Sequence, residues 1–215
     1  MTDGEKTDPN KAKPRRRKDA RPAEIVAAGI AEFETHGFHR ANLNRIAKAA
    51  GISKGTIYLY FPSKEALFLA AIDEHVAAVM AETETDLATF EGDTRALLTK
   101  LLRNAYARFV DGQAQSLFRI LITEGDRIPD VIAAYHAMTI KRGATLLQAI
   151  LKRGIARGEV RDSAILSVPN VIMAPAVYFS VHNMMFQNAQ PLELESYFEA
   201  HIELVLNGIL TPPDA

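Results

Sequence analysis

The chain contains no cysteine. Neither a disulfide framework nor a thiolate zinc site can form without thiols, which fits a reducing compartment. No uninterrupted apolar run reaches the roughly 18 residues of a transmembrane helix. The polar, basic N-terminus is followed by no apolar stretch of the kind a secretion signal needs. A cytoplasmic protein with no membrane partner is expected. Also missing are a phosphate-cradling glycine loop, an HExxH pair and a nucleophile elbow, and Glu124 and Asp126 fall at a polar helix end. Catalysis therefore has no evident carrier, and neither enzyme activity nor a cofactor is expected. His136 and His182 lack a second ligand at metal spacing, so no metal site is expected either.

What is present describes a globular protein. The 215 residues are 48% hydrophobic and 24% charged, enough for one large domain or two small ones. A net charge of −1 conceals a division, because residues 1–64 hold 13 Lys and Arg against 7 Asp and Glu, while the rest hold 12 against 19. One end suits a polyanion and the other does not. Residues 1–20 are rich in Lys, Arg, Pro and Asp with almost nothing to bury, and read as a disordered basic arm. Two readings of Lys13, Arg15, Arg16, Arg17 and Lys18 stand side by side: contact with DNA phosphates or a minor groove, or a solubilising tail.

Residues 21–66 read as three short helices and the start of a fourth. A first helix over 22–36 buries Ile25, Val26, Ile30 and Phe33, and Gly37 should end it with Phe38 packing back on Phe33. A second begins near Asn42, a natural cap, with Leu43, Ile46, Ala47 and Ala50 on its inner face. Gly51 supplies the sharp turn of a helix-turn-helix. Ser53 caps a third helix that Pro62 stops after about two turns. On that helix Ile57 faces inward, while Lys54, Gly55 and Tyr58 share another side flanked by Thr56 and Tyr60. Leu59 and Phe61 are expected to be partly packed and have no assigned role. Lys can donate to guanine, Gly admits the backbone, and Tyr can touch a thymine methyl, so Lys54, Gly55 and Tyr58 are the candidate base-reading residues. Lys64 lies in the first turn of the fourth helix, where a cation opposes the helix dipole. A bound phosphate would resolve that conflict, and a solvated lysine is the plainer alternative.

Residues 67–215 form a second domain with no strand pattern. The fourth helix should run over 63–90, followed by helices over 94–111, 114–124, 130–157, 164–186 and 192–210. The fold class is all-α with about nine helices. The last two are so apolar that a single chain has difficulty covering both, and pairing across a two-fold axis to give a homodimer is the economical solution.

The run IAKAAGISKGTIYLYFPSKEAL, residues 46–67, resembles the DNA-binding segment of the tetracycline-repressor-like (TetR) family of bacterial transcription regulators. The stretch from Arg127, RIPDVIAAYHAMTIKRGATLLQAILKRGIARGEVR, is similar to the AcrR-type branch. The resemblance implies a homodimer on double-stranded operator DNA, with Asn42, Thr56, Tyr60 and Lys64 on phosphates. Asn42 and Leu43 depart from the Thr or Ser and the branched residue common there, although asparagine still caps and donates. It further implies a small-molecule effector in the C-terminal domain that releases a repressor from DNA. Candidates to line its site are Tyr106, Phe109, Phe118, Tyr135, Met138, Met173, Tyr178 and His182, as adaptable apolar walls or as ordinary core. The alternative is a helical interaction module without specific operator binding.

Overall fold

The computed structural model describes residues 14–186 and 188–211, with side chains from Arg21 onward. It divides into two compact units, Met1–Phe68 and Leu69–Ala215. Among the described residues there is no strand, only an isolated bridge between Val160 and Leu210.

In the first unit, α1 (Pro14–Arg40) starts earlier than the expected position near residue 22 and carries Pro22 inside it. Residues 1–13 of the expected arm lie outside the described residues, as do the side chains of Arg15, Arg16, Arg17 and Lys18. Gly37 breaks the regular helix at φ 70°, a value that costs glycine little, and the chain turns so that Phe38 stacks on Phe33 with ring centroids 5.9 Å apart. Phe68 closes the cluster edge-on, 5.0 Å from Phe33 and 5.2 Å from Phe38. Asn42 caps α2 (Leu43–Ala49) by accepting from the Asn44 N–H at 2.8 Å. At its other end Gly51 takes φ 64°. Its N–H reaches the Lys48 carbonyl and the Ile52 N–H reaches Ala47, a Schellman closure that fixes the turn into α3 (Lys54–Tyr60).

The fourth helix, α4 (Lys64–Thr89), begins in the first unit and continues in the second. Beyond it come α5 (Thr94–Phe109), α6 (Gly112–Glu124), α7 (Pro129–Tyr135), α8 (Arg142–Ala156), α9 (Ala174–Phe186) and α10 (Leu194–Ile209). Leu98, Leu102, Ile150, Ile172, Phe179 and Leu206 are central to the second unit's core. Two expectations need correction. The helix expected over 130–157 is helical throughout but passes through a π-helical turn, His136–Lys141, between α7 and α8. The helix expected over 164–186 is regular only from Ala174. Two 3-10 turns, Ala164–Leu166 and Pro169–Met173, precede it, because Pro169 lacks an N–H and disfavours helical geometry at Val168.

Candidate nucleic-acid interface and effector cavity

The candidate recognition surface is built on a helix of seven residues. Ser53 caps α3, its Oγ accepting from the Thr56 N–H at 3.2 Å and lying 2.8 Å from the Thr56 hydroxyl. Ile57 is fully buried and anchors the helix. Lys54 and Gly55 are exposed, Tyr58 is 47% exposed, and the Lys54 ammonium lies 6.0 Å from the centre of the Tyr58 ring, so the candidate base-reading groups share a solvent face. Thr56 and Tyr60 are half-buried flanks. Leu59, expected to be partly packed, is instead 83% exposed, the most exposed large apolar side chain described. It stands one turn beyond Gly55, a spacing that the sequence already displays.

The support beneath this face was less legible. Glu32, on α1, is 9% exposed, and its carboxylate accepts from the Asn42 N–H at 2.8 Å and from the Arg45 guanidinium. Burial alone would raise its pKa, but the hydrogen bonds from Arg45 and Asn42 and the charges of Arg45 and His36 outweigh burial and hold it below the usual carboxylate range. Arg45 also donates to the Arg40 carbonyl at 2.8 Å. Its guanidinium thus braces α2 against α1. Asn42 is exposed, with its amide oxygen already used as a cap. Lys64 has a partner that sequence reasoning missed. Its ammonium donates to the Phe38 carbonyl at 2.7 Å and the His39 carbonyl at 3.1 Å, and sits 4.5 Å from the centre of the Phe38 ring. The conflict with the α4 dipole is resolved by carbonyls left over at the end of α1.

Among the described residues the second unit holds two adjoining cavities of about 190 and 490 Å³ that share Val79, Met80, Ala105, Phe109, Phe118, Tyr135, Thr139 and Met173. The larger falls in the size range of ordinary ligand sites. Four of the candidate effector residues, Phe109, Phe118, Tyr135 and Met173, therefore come together on one wall system. The other four line neither cavity. Tyr106 is core, its hydroxyl 2.9 Å from His201 Nδ1. Met138 is half-buried in the π turn, Tyr178 is 57% exposed, and the His182 ring packs between Tyr178 and Phe186. Spacing along a helix separated neither core from surface, as Tyr178 shows, nor core from cavity wall, as Tyr106 shows. Among the described residues no cluster of His, Asp or Glu is placed to hold a metal, and no helix is long and apolar enough to cross a membrane.

Comparison with known proteins bears on both units. A family model described as bacterial regulatory proteins, tetR family, matches residues 25–71, and one described as tetracyclin repressor-like, C-terminal domain, matches residues 88–189. An uncharacterised HTH-type transcriptional regulator of Mycobacterium bovis is 30% identical over 159 residues, covering 74% of this chain and 72% of that protein. The fatty acid metabolism regulator protein of Bacillus subtilis is 23% identical over 192 residues, 86% of this chain and 94% of that one. The crystal structure of Bacillus subtilis FadR with stearoyl-CoA superposes with a TM-score of 0.74 at 21% identity, covering 86% of this chain and 98% of that one.

Proposed function

The chain belongs to the TetR family of bacterial regulatory proteins, and on that premise we propose that it is a homodimeric repressor that leaves its operator when a small molecule enters the second unit's cavity. One observation carries the DNA-reading half of this proposal: an exposed leucine beside an exposed lysine, glycine and tyrosine on a helix held by a single buried anchor. Leu59 left in water gains nothing for the fold. Against a thymine methyl it would be covered, while Lys54 donates to guanine edges and Tyr58 adds apolar contact. Thr56, Tyr60 and Asn42 are assigned to phosphates, where they fix register without reading sequence. Lys64 acts chiefly from behind, by tying the end of α1 to the start of α4.

Two-fold pairing is assigned to α9 and α10, which leave Val177, Tyr178, Met185, Phe186 and Leu204 exposed, an apolar cost that a second copy would remove. Effector control is a population shift, in which the ligand binds the DNA-incompetent state more tightly and about 1.4 kcal/mol of difference changes operator affinity tenfold. Helix α4 is the evident carrier, since its first turn belongs to the DNA-binding unit and its Ile72, His75, Val79 and Met80 line the cavities. The apolar lining supports an amphipathic organic effector, as does the stearoyl-CoA held by Bacillus subtilis FadR. The cytoplasm is the assigned site of action.

The test is fluorescence anisotropy on DNA from upstream of the protein's own gene and on a scrambled duplex, across a salt series. One palindromic site bound far more tightly than the scramble, with a steep salt slope, is the expected result. Leu59→Ala should cost about 1–3 kcal/mol on that site alone. Weak, sequence-indifferent binding would instead favour a helical interaction module without an operator.

A further inference from the structure

The smaller cavity contains an anomaly. Its wall is almost wholly aliphatic and aromatic, yet three buried polar atoms on it have no hydrogen-bond partner within the protein: His75 Nε2 on α4, Thr139 Oγ1 in the π turn and Ser180 Oγ on α9. Ser180 is 0% exposed. Buried polar groups are nearly always satisfied, and three failures on one cavity wall ask for a common cause. Thr139 is informative by contrast. The hydroxyls of Thr83, Thr85, Thr99, Thr123 and Thr145 each donate to the carbonyl four residues back, at 2.8–3.0 Å. In the π turn the backbone register shifts by one residue, and the Thr139 hydroxyl makes no such bond. The π turn thus frees a hydroxyl on the cavity wall. Arg108, exposed and the one Lys or Arg among the described lining residues, adds positive charge at the same wall.

We propose that the smaller cavity seats the oxygen head of an acyl ligand, a carboxylate or thioester carbonyl, against His75, Thr139 and Ser180, with its apolar chain running into the larger cavity among Leu146, Leu147 and Val177. Two hydroxyls and an imidazole can all donate to such an oxygen. Arg108 favours an anionic or electron-rich head over a cationic one. This rests on the reading of the second unit as the effector domain and names the chemistry that it recognises.

Calorimetric titration of the full-length protein with decanoate, decanoyl-CoA and decylamine tests it, on wild type, Ser180→Ala and Thr139→Val. At least one acyl probe should bind, with decylamine at least tenfold weaker. Each substitution should weaken the acyl probe about tenfold, equivalent to about 1.4 kcal/mol. Since each substitution deletes an unpaired buried hydroxyl, the ligand-free melting temperature should hold or rise, so lost binding cannot be ascribed to misfolding. Binding by decanoate alone would identify the free acid as the ligand, and binding by decanoyl-CoA alone the thioester. Failure of both acyl probes, equal binding of decylamine, or unchanged acyl affinity in both variants overturns the proposal. Operator binding by the ligand-free variants is measured alongside, and it should equal wild type. Its loss in wild type too would strike at the regulator reading, whereas its retention with failed titrations would strike only at the acyl assignment.

Discussion

Two buried titratable side chains, Glu32 and His201, give the two units different acid sensitivities. Hydrogen bonds and charge hold the Glu32 carboxylate below its ordinary pKa of 4.5, so its contribution is complete above that pH and is lost as pH falls through the lower, folded-state value. Glu32→Gln should destabilise the first unit by about 1–3 kcal/mol at neutral pH, and the difference from wild type should vanish in acid. Urea unfolding followed across pH checks this, and a gap that persists undiminished at low pH would contradict it. His201 is the opposite kind of group. Its Nε2–H donates to the Ile172 carbonyl at 2.9 Å, which leaves Nδ1 to accept from the Tyr106 hydroxyl. Burial lowers its pKa from 6.5, partly opposed by the Ile172 bond, so the fold favours the neutral ring. The second unit should keep its full stability above about pH 6.5 and weaken as pH falls below it, where only the unfolded state gains the proton. Amide exchange resolved by unit should detect that loss. Equal protection of the second-unit core at pH 7.5 and 5.5 would count against the neutral buried ring.

At the scale of elements, α3 was legible because a cap, a glycine turn and a proline stop are local signals that need no tertiary context. Leu59 was misread because a leucine on a helix is more often packed than exposed, and only the placement of Ile57 decides which way a seven-residue helix faces. The partners of Lys64 were hidden for a different reason, since the carbonyls that receive it lie on α1, at residues 38 and 39, a pairing that no periodicity announces. The π turn left no trace in a sequence that is continuously helix-compatible across 129–156. Four of the eight effector candidates line the cavities and four do not, since the same apolar stripe supplies wall and core alike. The Lys64 brace separates a structural role from a phosphate contact. Lys64→Met should lower the melting temperature of the first unit and weaken operator binding together. A variant that melts like wild type while its salt slope drops by about one would favour the phosphate contact over the brace.

For the whole molecule, the charge division and the apolar exposure of α9 and α10 are what the proposed assembly rests on. A single helix-turn-helix head has little affinity, and two heads joined through a second-unit interface gain from effective concentration. The double substitution Tyr178→Glu and Leu204→Glu, at residues 57% and 68% exposed, should leave each protomer folded but shift sedimentation from dimer to monomer. It should also lower operator affinity by far more than tenfold. Intact dimers in that variant would move the interface elsewhere. The account's central claim is that the cavity in one unit and the DNA-reading face of the other are thermodynamically coupled, and coupling is reciprocal. It is tested most directly by measuring operator affinity in the absence and presence of saturating decanoate or decanoyl-CoA, whichever the titration identifies. The account predicts a loss of at least tenfold, matched by an equal loss of ligand affinity when operator is saturating. Ligand bound in the cavity with operator affinity unchanged would contradict it.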